Sequence, residues 1–238
     1  EPATLTAAER ARLRRVAQEA GIVVSGLHWL LARPAGLSIT SADARVRRRT
    51  ADVLRALVDL CADLGGSVLV HGSPAQRRLP DDDDDAPAAR ERAIELIAST
   101  AAHAAGAGLM YCIEPLAPPE ANFIHTLQEA ADIVRTIGCP ALRTMIDCCA
   151  AARAEASPPA QLLEQWLPTG LVAHVQVNDP NLRGPGQGAL RFGPVFAALR
   201  RHRYGGWVSV EPFEYRPDGP ACAARAIGYV RGVLDGLA

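Results

Sequence analysis

The fold is decided by the stretch Leu142-Arg143-Thr144-Met145-Ile146-Asp147, in which a short apolar run ends in one carboxylate. Three other apolar runs carry an oxygen-bearing side chain at or near their ends. They are Leu109–Ile113 with Glu114, Val172–Val177 with Gln176, and Trp207–Val210 with Glu211. The four oxygen-bearing residues are separated by 33, 29 and 35 residues. Because a strand–helix–strand unit occupies roughly 30 residues or more, the spacing places one such side chain at the same point of four successive units.

Side chains at these strand ends are expected to meet if the strands form a parallel barrel. In such a barrel the carboxyl ends of all strands lie on one rim. Three carboxylates and one amide on one rim indicate a divalent-metal site, and an all-oxygen ligand set favours Mg²⁺ or Mn²⁺ over Zn²⁺. The alternative is that each residue is an isolated polar group at the end of its strand.

Apolar periodicity and capping residues predict helices that alternate with strands along the whole chain. The predicted helices cover residues 7–20, 43–64, 88–105, 127–137, 159–167, 194–201 and 220–237. The predicted strands cover residues 22–31, 67–70, 109–113, 142–146, 172–177 and 207–210. Strict alternation favours a parallel sheet with right-handed crossovers in an α/β protein. Six strands do not complete an eight-stranded barrel, so either the sequence lacks its beginning or the sheet is an open one. We expect a single (β/α) barrel domain over residues 1–238, a normal length for that fold.

Composition excludes several kinds of chemistry. The net charge of −1 gives no electrostatic reason for binding nucleic acid or an anionic membrane. All 25 basic residues are arginine, which excludes a Schiff base, a lysine general base and the lysine of a phosphate-binding loop. The six cysteines form no C-x-x-C pair, so we interpret them as small buried residues of a cytoplasmic protein.

Several longer motifs support a resemblance to a known family. They are Gly72-Ser73-Pro74-Ala75-Gln76-Arg77, Cys112-Ile113-Glu114-Pro115-Leu116, Glu120-Ala121-Asn122-Phe123, Ile146-Asp147, His174-Val175-Gln176-Val177-Asn178-Asp179-Pro180-Asn181, Pro185-Gly186-Gln187-Gly188 and Gly205-Gly206-Trp207-Val208-Ser209-Val210-Glu211. With these residues the chain resembles the sugar phosphate isomerase/epimerase superfamily of xylose-isomerase-like TIM barrels. The resemblance implies a TIM (β/α)8 barrel whose first β-α-β segment would precede residue 1.

The resemblance also implies a site and an activity. The metal ligands would be Glu114, Asp147, Gln176 and Glu211, and the two glutamates would also act as the acid/base pair. Gln176 stands where most members have histidine, and in this respect the chain is similar to the hydroxypyruvate-isomerase branch. Ala150 stands where many epimerases have a histidine that contacts substrate. The implied activity is that of a divalent-metal-dependent isomerase or epimerase of a small sugar or keto-acid, acting by proton transfer through a metal-stabilised enediolate.

Five further residues are candidates for binding the substrate. They are His28, His71, Glu120, His174 and Arg183. The histidines follow or lie within predicted strands, Glu120 matches a family residue beside the metal, and a guanidinium such as that of Arg183 could hold a substrate oxygen or phosphate. Each has a structural alternative: a histidine bonded to the backbone, a solvated arginine or a loop carboxylate.

Other functions stay open on the same scaffold. The same enediolate could expel a β-hydroxyl, which would make the protein a dehydratase of a keto-polyol. The alanine at position 150 and the cysteines after Asp147 leave room for a non-catalytic binding protein on a degenerate barrel. We expect a small-molecule sugar or keto-acid as partner, with no nucleic acid and no membrane, and leave open a homo-oligomer. The related apurinic endonucleases need a histidine-rich zinc site, which six scattered histidines do not suggest.

Overall fold

The structure is a computed structural model that describes residues 4–81 and 84–237. The chain divides into two compact units, Glu1–Thr144 and Met145–Ala238, each of which is described by itself. The division falls inside one strand, Leu142–Asp147, so this strand contributes residues to both units.

The first unit alternates helices and strands. Its elements are α1 (Ala7–Glu19), β1 (Gly26–His28), α2 (Ala44–Leu64), β2 (Val68–His71), α3 (Ala86–Gly106), β3 (Met110–Ile113), α4 (Leu127–Ile137) and the beginning of β4 (Leu142–Asp147). The four strands lie side by side in chain order and all pairings are parallel. In this register His71 pairs with Ile113, so the ends of β2 and β3 are level. The strands of this unit therefore deliver their following residues to one edge of the sheet.

Local sequence explains where these helices begin and end. Thr6 and Glu9 form a reciprocal capping box at the start of α1, as the sequence predicts. Thr126 caps α4 by accepting a hydrogen bond from the Glu129 N–H. Gly65 and Gly138 adopt the left-handed conformation directly after α2 and α4, which ends both helices without a Cβ penalty.

The second unit continues the same alternation. Its elements are the end of β4, α5 (Cys148–Ala154), α6 (Pro159–Trp166), β5 (Val172–Gln176), α7 (Phe192–Arg201), β6 (Trp207–Ser209) and α8 (Gly219–Gly236). Strands β4, β5 and β6 are neighbours in that order, and β5 pairs with β6 in parallel with Gln176 opposite Ser209. Gln176 thus closes β5 beside the last residue of β6.

Two local predictions are wrong. The strand expected over residues 22–31 is only Gly26–His28, because Ile22 still donates its N–H to Ala17 at the end of α1 and Trp29 has a φ of 53°. A left-handed residue cannot continue an extended strand. Cys148 and Cys149 follow the predicted strand 142–146 and were expected to continue its extended end, but they open α5, where both are buried.

All six cysteines are free thiols, and five of them are buried while Cys139 is half-buried. The cytoplasmic location that the sequence suggests stays a prediction. Among the helices that the structure describes, none combines the length and the apolar character needed to cross a membrane.

Candidate functional site

Asp147 is held in place by the chain that follows it. It is the last residue of β4 and the N-cap of α5, and its Oδ1 accepts a hydrogen bond of 2.7 Å from the Ala150 N–H. Only 6% of the residue is exposed. The Asp147 carboxylate lies at a strand end, as predicted, and the structure adds that it is buried and oriented by its hydrogen bonds.

Asn178 connects Asp147 to Glu211. Its Nδ2 donates to Asp147 Oδ2 over 2.8 Å, and its Oδ1 accepts a hydrogen bond from the Glu211 N–H. Carboxylate oxygens of Asp147 and Glu211 lie within 4.8 Å of each other. Sequence reasoning missed Asn178. The available signal was its position two residues after Gln176, since residues two apart along an extended chain face the same way.

The surroundings of Asp147 make its carboxylate costly to ionise. Burial, and to a smaller extent the negative charge of Glu211, raises the pKa of Asp147 to about 7, although the hydrogen bonds from Ala150 and Asn178 act in the opposite direction. Two carboxylates that share a buried space favour either a shared proton or a bound cation. The arrangement can therefore accept a positive ion.

Gln176 supplies a third oxygen in the same unit. It is 2% exposed, and its Oε1 is buried and accepts no hydrogen bond from the residues that the structure describes. A buried amide oxygen without a donor is expensive unless a cation or another donor satisfies it. By their chemistry, carboxylate oxygens together with an amide oxygen would suit a hard cation such as Mg²⁺ or Mn²⁺. The grouping of Gln176 with Asp147 and Glu211 stays a prediction.

His174 lies two residues before Gln176 on β5 and is 4% exposed. Its Nε2 lies 2.9 Å from the hydroxyl oxygen of Ser209, the residue that pairs with Gln176. The imidazole is thus oriented by β6 on the face of β5 that carries Gln176. Because His174 shares this face with Gln176, a contact with substrate is possible there, and that contact stays a prediction.

In the first unit, Glu114 follows β3 and is 5% exposed. Arg77 donates from its NH1 nitrogen to the Glu114 main-chain carbonyl over 2.6 Å. A Cβ atom placed on Gly72 would overlap Glu114 Oε2, so the carboxylate rests directly against this glycine. Glu114 directly follows a strand, as predicted, and is buried. Its grouping with residues of the second unit stays a prediction.

His71 lies on the face of its sheet opposite to the face that carries Glu114. It pairs with Ile113, and its Nδ1 contacts the hydroxyl of Tyr111, which alternation along β3 places on the face opposite Glu114. Burial, and secondly the charge of Arg77, lowers the pKa of His71 to about 3, so the imidazole is neutral. The contact with Tyr111 gives the His71 Nδ1 atom a hydrogen-bond partner within the protein. The role of His71 in substrate binding stays a prediction.

The other three candidates are more exposed. His28 ends β1 and is exposed, and Glu120 is exposed in the loop after β3. Arg183 donates from Nε to Glu214 Oε2 over 3.1 Å, in an ion pair that is partly open to solvent. Their contacts with substrate also stay predictions.

Comparison with known families places the chain in one of them. It belongs to the family of xylose isomerase-like TIM barrels, whose model matches residues 2–232. The fold class predicted from the sequence is thereby confirmed.

Relatives of this chain carry names of sugar epimerases. The chain is 23% identical over 202 residues to a probable ketose 3-epimerase of Synechocystis sp., a match that covers 81% of this chain and 66% of that protein. It therefore spans slightly less than two thirds of the length of this curated relative. A crystal structure of D-psicose 3-epimerase in the presence of D-fructose matches with 25% identity and a TM-score of 0.74, covering 88% of this chain and 71% of that one. A structure of L-ribulose 3-epimerase matches with 21% identity and a TM-score of 0.81, covering 99% and 82%.

Proposed function

We propose that this protein is a divalent-metal-dependent epimerase or isomerase of a small ketose. The observation that supports it most directly is the arrangement in the second unit. There the buried Asp147 lies beside Glu211, and the amide oxygen of Gln176 has no hydrogen-bond donor among the described residues. Membership of the family supports the scaffold, and the names of the relatives support a ketose as the substrate class.

Four residues would hold the cation: Glu114, Asp147, Gln176 and Glu211. The last three come from the second unit, and Glu114 is added because it closes β3 as Asp147 closes β4 and because the family resemblance matches it. All four offer oxygen, which favours Mg²⁺ or Mn²⁺ over Zn²⁺. When bound, such an ion would polarise the ketose carbonyl and stabilise negative charge on the substrate oxygens.

The proton transfers fall to the two glutamates. In this proposal one glutamate takes the proton from the carbon beside the carbonyl, and the other returns a proton to the opposite face, which inverts that carbon. Return of the proton to the neighbouring carbon would instead isomerise the sugar. Asp147 is a poor candidate for this work because Ala150 and Asn178 already fix its two oxygens. Placed carboxylates typically contribute ~10²–10⁴-fold to such steps.

The experiment starts from chelator-treated protein and a panel of ketoses, with and without Mn²⁺. We expect Mn²⁺-dependent conversion of at least one ketose to its epimer or aldose, detected by proton NMR. Glu211→Gln at saturating Mn²⁺ should lower turnover by ~10²-fold or more while a bound ion is retained. Glu164→Gln makes the same chemical change at a surface ion pair with Arg201 and should keep full turnover.

Three results would count against the proposal. Full activity in Glu211→Gln would refute the assignment of the proton-transfer residue. Loss of water from the substrate would identify a dehydratase on the same site. Failure of the wild-type protein to bind Mn²⁺ or Mg²⁺ at millimolar concentration would leave only a binding protein on this barrel.

A further inference from the structure

Asn178 is a buried side chain with two partners, both of them in residues that the proposed function uses. It is 1% exposed, it donates to Asp147 Oδ2, and it accepts from the Glu211 N–H. Each partner lies more than 30 residues away along the chain. The amide therefore joins the end of β4 to the residue that follows β6 by way of the loop after β5.

The partners fix the orientation of the amide. A carboxylate can only accept a hydrogen bond when ionised, and a backbone N–H can only donate one. Rotating the amide by half a turn would place its oxygen against Asp147 and its NH₂ against the Glu211 N–H, which would be repulsive on both sides. One orientation alone satisfies both partners, so Asn178 can hold them in a fixed relative position.

We infer that Asn178 is a positioning residue for the cation site, setting the distance and orientation between Asp147 and Glu211 before an ion arrives. This inference rests on the proposed function. A neutral amide suits the task because it adds no charge beside two carboxylates that already lie within 4.8 Å of each other. With Ala150 on Oδ1 and Asn178 on Oδ2, both oxygens of Asp147 keep a defined direction.

The same loop contains a matched control. Asn181 also uses both ends of its amide, donating to the Gln187 carbonyl and accepting from the Arg183 N–H. Its partners are main-chain groups of the loop, and its side chain is exposed. Removal of the Asn181 amide would disturb the loop without touching either carboxylate, which separates positioning of the site from support of the loop.

The test is calorimetric titration of Mn²⁺ into metal-free full-length protein, with no substrate present. Partners that orient metal ligands typically contribute 10–100-fold to metal affinity, so Asn178→Leu, which keeps the volume and removes both hydrogen bonds, should weaken Mn²⁺ binding by ~10–100-fold. Asn181→Leu should change the Mn²⁺ affinity by less than about twofold, because Asn181 does not orient a proposed metal ligand. Thermal unfolding of each metal-free variant is measured in parallel, because a merely structural residue would lower stability without changing affinity selectively.

A second variant keeps the test decisive if Asn178→Leu fails to fold. Asn178→Ser retains a hydroxyl that can make one of the two hydrogen bonds, and its Mn²⁺ affinity should lie between that of the wild type and that of Asn178→Leu. Wild-type affinity in every folded Asn178 variant would overturn the inference while leaving the proposed function intact. Equal losses in Asn178→Leu and Asn181→Leu would also overturn it, in favour of loop support. A wild-type protein that binds no Mn²⁺ would overturn the proposed function and, with it, this inference.

Discussion

Substitution of Gly72 by alanine gives a sharp test of the role proposed for Glu114. Gly72 is buried directly after β2, and the three atoms nearest to an added Cβ would all belong to the Glu114 side chain, with Oε2 overlapping and Cδ at 2.9 Å. No backbone atom is among its nearest neighbours, and Gly72 has no positive φ. The substitution therefore moves one carboxylate and leaves the backbone unstrained.

The size of the effect follows from the overlap. The carboxylate has to move by roughly 1 Å or more before the new contact reaches van der Waals separation. A misplacement of about 1 Å in a reacting or positioning group can cost ~10²-fold in rate. The free energy of unfolding should change by about 1 kcal/mol or less, because Gly→Ala at a compatible backbone position also restricts the unfolded chain. We therefore expect Gly72→Ala to be folded and almost inactive.

The assay is the initial rate of ketose conversion at saturating Mn²⁺, together with urea unfolding of the same samples. Gly106→Ala is the control, since a Cβ at the end of α3 meets nothing within 4 Å. It should keep the wild-type rate. Full activity in Gly72→Ala would refute the view that the Glu114 carboxylate works from its present position. Unfolding of Gly72→Ala would show that the backbone, and not the carboxylate, takes up the strain.

Two further predictions concern buried titratable groups. His71 has its folded pKa lowered to about 3, so its stabilising contribution is complete above about 6.5 and is lost as pH falls from there toward 3, at up to about 1.4 kcal/mol per pH unit. Urea unfolding of His71→Gln should lack this component, and parallel stability curves for variant and wild type would contradict it. Iodoacetamide at neutral pH should label the half-buried Cys139 before the five buried cysteines, which mass spectrometry can follow. Equal labelling of Cys61, whose pKa burial raises to about 11, would contradict this order.

Regular helices could be predicted where the stretch with helical apolar periodicity begins and ends at recognisable capping residues. Helix α4 occupies the predicted residues 127–137, since the Thr126 cap and Gly138 bound an amphipathic run. The strand before Glu114 differs from its prediction by only one residue, because a short apolar run bounded by polar groups has few other options. Helix α5 could not be predicted, because the sequence around Asp147 fits a strand end and a helix N-cap equally well. The structure shows that Asp147 is both.

The strand positions of the candidate ligands were easier to predict than their hydrogen-bond partners were. Asp147, Gln176 and Glu114 lie at strand ends, as their spacing suggests, and all three are buried. Asn178 escaped notice because an asparagine in a Gly/Pro-rich loop usually satisfies turn geometry, and its hydrogen bonds reach residues far away in the sequence. His71 was expected beside the substrate because it ends a strand. Its contact with Tyr111 depends on which face of β2 it occupies, and four consecutive buried residues leave that face undefined in the sequence.

Exchange of substrate hydrogen with solvent tests the proposed chemistry most directly. The wild-type protein, loaded with Mn²⁺, is incubated with a ketose panel in D₂O, and NMR follows the carbon beside the carbonyl. We predict deuterium at that carbon in the recovered epimer, with at least ~10²-fold slower incorporation in Glu211→Gln. Absence of deuterium from every ketose, or undiminished incorporation in Glu211→Gln, would contradict proton transfer by this carboxylate.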